Sequence, residues 1–505
     1  MHVGWAFEGA ALRHPDWPAL AEGGTLLTYG EWYRRASRLA GWLRAQGVQP
    51  GTRVAMAMRN REELATCHLA TQLADATSVP LNFRFNAREL QHCLDDSEAV
   101  LLVHDEHAAA AVRGLERAPL TVTAEDLRDL AGGAAPLPAP PNDDAGPSLI
   151  LYTSGTTGLP KGVLRTHRAE HAAALAQVVQ HGYASGERTL GAMTMAHTMG
   201  IHTLLAMVLV NGLFVSVPSV VERDIAALLS EHRVTNLFLV PTAFHLLLEQ
   251  LEREGARLPA CRKLGYAGAS MTPALVERCV EVFDPHVFVN HYGSTEVYTF
   301  TVSQRQREKP GCAGRPNLFG RLRVVTARPD ATVTPADEVP SGETGEVIVS
   351  MESDEAFRTY LNRPDAMQRA VRDGWYFTGD LGRLDGEGDL WLEGRVDDMI
   401  ITGGENVYPR EIEDALAGHP EVAEVAVCGV PDERWGQLVT AFVVPRAGSR
   451  LTPDQLLGAS RSMRDLASHK RPRRIVLLRE LPKSPVGKIL RREILAGHYD
   501  ELGST

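Results

Sequence analysis

Tyr152-Thr153-Ser154-Gly155-Thr156-Thr157-Gly158-Leu159-Pro160-Lys161-Gly162 follows directly on the apolar run Leu149-Ile150-Leu151. That run is short, wholly apolar and preceded by the Pro-, Asp- and Gly-rich stretch 136–148, so it reads as a buried strand entered from an exposed loop. The hydroxyl- and glycine-rich segment is therefore a loop at the end of a strand. Its glycines leave backbone N–H groups accessible, and its hydroxyls and Lys161 add donors, so the segment can wrap an anionic polyphosphate. An ordinary flexible Ser/Gly linker would neither begin at a strand end nor close on Pro-Lys-Gly.

The loop is not a Walker A loop, because Pro160 precedes the lysine and Gly162, rather than Ser or Thr, follows it. Outward from it, strands and helices alternate. Residues 28–47 read as a capped helix opening on Thr28-Tyr29-Gly30-Glu31 and stopping at Gly47. Residues 54–58 and 99–103 read as strands, and 62–75 and 87–95 as helices between them. Strands follow at 237–240, 263–267 and 287–289. This βα rhythm predicts layered α/β architecture with crossover helices. Residues 322–392 read as β-rich, with short strands separated by Gly and Asp. A boundary falls near 395–398, and beyond it helices at 411–417 and 453–466 with strands at 422–429, 440–445 and 474–478 make a small α+β unit. The expected domains are 1–396 and 397–505.

The 505 residues, 44% hydrophobic and 23% charged, suffice for a large core in two to four domains or subdomains. A formal net charge of −11 supplies no basic excess for nucleic acid or anionic lipid. Cys67, Cys93, Cys261, Cys279, Cys312 and Cys428 lie far apart, without zinc-ligand spacing, which fits a reducing cytoplasm. Neither a signal peptide nor a membrane span is evident: residues 1–11 lack Lys and Arg, and the apolar region 204–217 is broken by Asn211 and Gly212. Whether the chain forms a homodimer is open.

Three further strings carry chemistry: Tyr292-Gly293-Ser294-Thr295-Glu296 after a strand, Tyr376-Phe377-Thr378-Gly379-Asp380, and Pro485-Val486-Gly487-Lys488 near the C-terminus. With the phosphate loop they resemble the adenylate-forming superfamily of acyl-CoA synthetases, nonribosomal-peptide adenylation domains and luciferases. Gly394-Arg395-Val396-Asp397-Asp398-Met399-Ile400-Ile401 and Arg434-Trp435-Gly436-Gln437 are most similar to chlorobenzoate-CoA ligases, and the likeness runs from about residue 25 to residue 492. The resemblance implies a large N-terminal domain of layered α/β sheets plus a β-barrel-like subdomain, joined to a small mobile α+β C-terminal domain. It implies an ATP-dependent, AMP-forming ligase that makes an acyl-adenylate and passes the acyl group to coenzyme A.

Residue by residue, the resemblance assigns the nucleotide to Thr153, Ser154, Gly155, Thr156, Thr157 and Lys161, to Gly268, Ala269 and Ser270 at the adenine, and to His291, Tyr292, Gly293 and Ser294. Tyr292 lies against adenine, Thr295 contacts the α-phosphate and Glu296 helps hold Mg²⁺, a hard cation suited to carboxylate and phosphate oxygens. Asp380 and Arg395 take the ribose hydroxyls, for which an ionised carboxylate is a strong acceptor. Lys488 supplies the cation needed as a carboxylate meets an α-phosphate and negative charge gathers. Asp397 is the hinge about which the C-terminal domain turns, withdrawing Lys488 and presenting Gly403 and Gly404 to the thiol. Coenzyme A falls to Arg84, Trp435, Lys470, Arg471 and Arg473, although a basic run such as 469–474 is also an ordinary solvated face.

His197 matches the histidine that shields the acyl pocket, but Ala196 stands where relatives usually place an aromatic ring, which leaves the pocket's dimensions open. The acid is lined by position with His197, Thr198, Met199, Phe244, Ala267, His291, Gly293, Tyr298 and Thr299. No Lys or Arg is among them, so an apolar, bulky acid, aryl or alicyclic, is expected and a dicarboxylate is disfavoured. Competing readings are an enzyme that runs one half-reaction or loads a carrier protein, and a catalytically silent protein on the same fold. The latter would be expected to have lost Lys161, Glu296, Asp380 or Lys488, and none is lost.

Overall fold

The computed structural model describes residues 1–153, 159–220, 225–328, 333–402, 405–462, 470–483 and 489–502. The chain is mixed α/β and divides into two compact units, Met1–Leu322 with Val349–Tyr376, and Arg323–Ile348 with Phe377–Thr505.

The first unit holds two large sheets. One has seven strands in the order Thr359–Tyr360, Lys161–Thr166, Pro147–Thr153, Thr77–Leu81, Arg53–Ala57, Leu101–His104 and Leu120–Thr123. Its five later neighbours run parallel, and Lys161–Thr166 turns back antiparallel to Pro147–Thr153. Val54, Ala55 and Met56 are fully buried, which is why a parallel strand covered on both faces reads as a continuous apolar run rather than an alternation. The crossover helix Glu62–Leu73 is buried along its whole length, its polar residues such as Glu62, Thr66 and Gln72 included.

The other sheet has nine strands in the order Arg315–Pro316, Thr301–Ser303, Val287–Tyr292, Lys263–Tyr266, Asn236–Leu239, Arg188–Gly191, Leu213–Ser216, Pro18–Glu22 and Thr25–Thr28. The six from Val287–Tyr292 to Pro18–Glu22 are parallel to their neighbours. The carboxyl ends of four of these strands therefore share one edge, at residues 192, 240, 267 and 293, and open parallel sheets bind ligands outside that edge.

Local chemistry sets the helix boundaries. Thr28 caps the helix Tyr29–Ala45 in a reciprocal box with Glu31, Thr28 N donating to Glu31 Oε2 at 2.9 Å and Glu31 N to Thr28 Oγ1 at 3.3 Å. Such a cap contributes about 1 kcal/mol. The expected stop is met at Gly47, whose φ of +89° an L side chain resists. The helix Val3–Arg13 was not expected from the sequence; its buried side is Val3, Gly4, Ala6, Phe7, Ala10 and Ala11, in which Phe7 is the one large side chain.

In the second unit, the C-terminal sheet runs Glu405–Val407, Ile400–Thr402, Gly436–Pro445, Val422–Asp432, with Arg474–Leu477 parallel to Gly436–Pro445. Val425, Val427, Val439 and Ala441 form its core with Ile412 and Leu416 of the helix Pro409–Ala417. The expected helix 453–466 is described as Pro453–Ser462, and residues 463–466 lie outside the described residues. All six cysteines are free and buried. Among the described residues no helix is long and apolar enough to cross a membrane.

Candidate active site

Lys161 opens the strand Lys161–Thr166, opposite Thr153 across the hairpin. Strand alternation puts Lys161, Val163 and Arg165 on one face. Val163 packs there with Val297, Phe300, Phe357 and Tyr360. The lysine Nζ stands 4.9 Å from the centre of the Tyr360 ring, and the Tyr360 hydroxyl donates to Glu296 Oε1 at 2.7 Å. At the far end of the face, the fully buried Arg165 donates to the backbone carbonyl of Thr295 at 3.0 Å. One strand thus carries Arg165 to the 294–296 turn and Lys161 to the ring of Tyr360, whose hydroxyl holds Glu296.

Arg165 is also paired with Glu170 at 2.5 Å, and His202 Nε2 lies 3.0 Å from the other oxygen of that carboxylate. Burial pushes the Glu170 carboxyl up, but Arg165 and His202 outweigh it and hold it at about 2. This buried pair fixes the Arg165 side chain that holds Thr295. Glu296 offers Oε2 without a hydrogen-bond partner among the described residues, a hard oxygen of the kind Mg²⁺ accepts beside phosphate oxygens and water.

Residues 268–270 and 293–296 follow the neighbouring parallel strands Lys263–Tyr266 and Val287–Tyr292, at the shared carboxyl edge. Gly268 and Ala269 are exposed, Ser270 half-buried, and Gly268 has φ +82°. Gly293 is there because a Cβ would lie 1.8 Å from the carbonyl oxygen of Tyr298. Tyr292 is half-buried and meets Phe300 edge-on at 5.0 Å. Ser294 accepts from the backbone N–H of Glu296 at 3.2 Å, closing the turn.

His291 is buried in a chain of polar contacts. Its Nδ1 is 3.3 Å from His181 Nε2, its Nε2 is 3.0 Å from Thr299 Oγ1, and His181 Nδ1 is 3.4 Å from the Tyr183 hydroxyl. Burial pushes His291 down to about 3 and His181 well below its usual range, so both rings are neutral. Thr299 N donates to buried Glu355 at 2.9 Å, and burial pushes that carboxyl up to about 7.

Of the residues expected at the acid, Met199, Ala267 and Tyr298 pack in one cluster with Ala173 and Phe238. Tyr298 meets the His202 ring at a tilt, centroids 3.8 Å apart, and donates its hydroxyl to Gln177 Oε1 at 3.0 Å. Phe244 belongs instead to the neighbouring core with Leu239, Leu247 and Tyr266. His197 precedes the helix Thr198–Val210, its Nε2 buried without a partner and its pKa lowered by burial, while Thr198 is half-buried. Asn60 holds the approach to His197, donating to the carbonyls of Gly191 and Met193 and accepting from Met195 N.

In the second unit, Asp380 and Arg395 face each other across antiparallel strands and form an ion pair at 2.5 Å. Gly379, at φ +70°, directly precedes Asp380 in its strand; a Cβ there would lie 3.0 Å from the Arg395 guanidinium. Asp397 is exposed in the turn that follows. Trp435 and Arg473 are brought together, the guanidinium 4.0 Å from the ring centre, and Arg434 lies over the same ring. Lys470 is tied to Glu411 at 2.6 Å, Arg471 is half-buried, and in the first unit Arg84 lies over Phe83. Ser154, Gly155, Thr156, Thr157, Gly403, Gly404 and Lys488 lie outside the described residues.

Sequence reasoning missed Arg165, Glu170 and Tyr360. The alternation of Lys161, Val163 and Arg165 after a strand-end loop was the available signal for the arginine. Tyr360 had none, since its contact with Glu296 spans 64 positions.

Residues 7–361 match the family model described as AMP-binding enzyme, and residues 411–488 match that described as AMP-binding enzyme C-terminal domain. The chain is similar to feruloyl-CoA synthase of an Amycolatopsis species, 37% identical over 489 residues covering 96% of each chain. It is 35% identical to 4-chlorobenzoate–CoA ligase of an Arthrobacter species over 516 residues, covering 98% of this chain and 95% of that one. Among solved structures it resembles o-succinylbenzoate coenzyme A synthetase (MenE) of Bacillus subtilis in complex with ATP and magnesium ion. The TM-score is 0.84 and the identity 27%, over 97% of this chain and 98% of the other.

Proposed function

The chain belongs to the AMP-binding enzyme family as an ATP-dependent, AMP-forming acyl- or aryl-CoA ligase, and from that premise we propose that its substrate is a bulky, apolar carboxylic acid, aryl or alicyclic, with coenzyme A as acceptor. The observation that carries the chemistry is the meeting of Lys161 and Glu296 on one side chain, Tyr360. A phosphate-seeking cation and a metal-seeking carboxylate then address the same triphosphate. Thr295, with its carbonyl held by Arg165, presents its hydroxyl to the α-phosphate. Gly268, Ala269, Ser270 and Tyr292 take the adenine, and Asp380 with Arg395 the ribose.

Magnesium, when bound, spreads the negative charge of the phosphates. The chain's own groups then do the rest. Lys488 adds positive charge where the acid's carboxylate meets phosphorus, a contribution of about 3 kcal/mol for a well-placed donor. The C-terminal domain, 397–505, turns about Asp397 to exchange Lys488 for Gly403 and Gly404. Trp435 and Arg473, already stacked, suit the nucleotide end of coenzyme A.

Support for the acid class comes from Met199, Ala267 and Tyr298, which pack with Ala173 and Phe238 and whose one hydroxyl is already satisfied by Gln177. None of the positions expected at the acid is Lys or Arg, so a second carboxylate would lack a cation among them. Acid-dependent ATP–pyrophosphate exchange across substituted benzoates, cinnamates, alicyclic acids and short dicarboxylates tests it. Exchange with the ring acids and none with malonate is expected; preference for a dicarboxylate would overturn the acid class while leaving the ligase assignment intact.

A further inference from the structure

We propose that Tyr360 is a positioning residue that fixes the metal-binding carboxylate and the phosphate-binding lysine relative to each other, its hydroxyl holding Glu296 and its ring carrying Lys161. The inference rests on the nucleotide roles proposed above for those two residues.

Two independent contacts define it. The hydroxyl donates to Glu296 Oε1 at 2.7 Å, which aims the carboxylate and leaves Oε2 as the oxygen that can meet a cation. The ring face lies 4.9 Å from Lys161 Nζ, within range for cation–π attraction. Among the described residues Lys161 pairs with no carboxylate, so nothing there neutralises it before an anion arrives. Tyr360 itself is 4% exposed, so its hydroxyl is held to this contact away from water.

The backbone around Tyr360 is stitched to both partners, which is what makes the side chain a gauge rather than a chance neighbour. On one side, Thr359–Tyr360 pairs antiparallel with Val163 and Leu164, Arg358 N donating to Leu164 O and Leu361 N to Gly162 O, both at 2.8 Å. Gly162 permits this approach, since a Cβ would stand 3.2 Å from Leu361, Ile150 and Tyr152 at once. On the other side, Phe357 N donates to Glu296 O at 2.7 Å and Ala356 bridges Val297. Lys161 belongs to the seven-stranded sheet and Glu296 follows a strand of the nine-stranded one. Residues 356–361 join them, and Tyr360 is the side chain that touches both functional groups.

The two contacts separate by substitution. Tyr360→Phe keeps the ring under Lys161 and removes the hydroxyl; Tyr360→Leu removes both. Calorimetric binding of ATP to the full chain is measured in EDTA and across a Mg²⁺ titration, with melting temperatures as a check on folding. For Tyr360→Phe, the Mg²⁺ concentration at half-saturation should rise about tenfold, the scale of losing a hydrogen bond to a charged group, with metal-free ATP binding unchanged. Tyr360→Leu should add a several-fold loss of ATP binding in EDTA. If Tyr360→Phe titrates with Mg²⁺ as the wild type does, or both variants lose metal-free ATP binding alike, the inference is overturned. A wild-type chain that bound no Mg²⁺–ATP would instead sink the nucleotide site itself. A folding defect confined to Tyr360→Leu leaves the Tyr360→Phe titration to decide.

Discussion

Arg165 and Glu170 are 0% and 1% exposed, opposite charges taken out of water together behind the residues proposed to face the nucleotide. Such a pair is held by its own completeness: removing one partner leaves a buried charge uncompensated, typically at about 3–5 kcal/mol. Glu170→Ala should therefore cost stability on that scale in urea unfolding, and release of Thr295 should accompany it; a change below 1 kcal/mol would contradict the pairing. Histidines act at the same scale. Burial holds His68 at about 4, His167 at about 2 and His291 at about 3. Below the ordinary histidine value the unfolded chain takes up protons that the folded chain refuses. Their contribution is full above about pH 6.5 and is lost as pH falls toward 4, by about 1.4 kcal/mol per pH unit for each ring. Urea midpoints should drop steeply between pH 6.5 and 4.5; a flat profile would mean the rings are not neutral. Lys488→Ala should slow adenylate formation by ~10²-fold to 10³-fold while leaving thioester formation from supplied acyl-adenylate nearly intact.

The turn between the strands Val287–Tyr292 and Thr301–Ser303 is the element on which the site depends most. Gly293 faces the Tyr298 carbonyl so closely that Gly293→Ala must spread the turn and shift Thr295 and Glu296. An ångström of misplacement near reacting groups costs about 10²-fold in rate, so adenylate formation should fall at least that far, alongside a loss of stability of about 1–3 kcal/mol from the overpacked turn. Stopped-flow pyrophosphate release reads this directly. The elements that sequence reading found are those whose signals are local: the Thr28–Glu31 cap, the apolar runs of buried parallel strands, the strand-end loop closing on Lys161. What it could not find are contacts made only by tertiary structure. Tyr360 reaches Glu296 across sheets, His181 meets His291 across 110 positions, and neither leaves a periodic trace. The placement of Phe244 in the neighbouring core is the same lesson, since its position on the helix Pro241–Glu254 fixes which side it faces and the sequence alone does not.

For the whole molecule, the residues proposed for each half-reaction are drawn from both compact units. Lys161, Thr295 and Glu296 lie in the first; Asp380, Arg395, Trp435 and Arg473, with the segments 403–404 and 484–488, lie in the second. Half-reactions that rely on different groups should be lost separately. Gly404 replaced by a bulky side chain should depress transfer to coenzyme A while sparing adenylate formation, whereas Lys488→Ala does the reverse. The most direct measurement of the whole scheme is mass spectrometry of the products formed from a panel of ring-bearing acids with ATP and Mg²⁺, with and without coenzyme A. AMP, pyrophosphate and an acyl-adenylate should appear without the thiol, and the acyl thioester with it. ADP and phosphate as products, or a thioester that never passes through an adenylate, would contradict it.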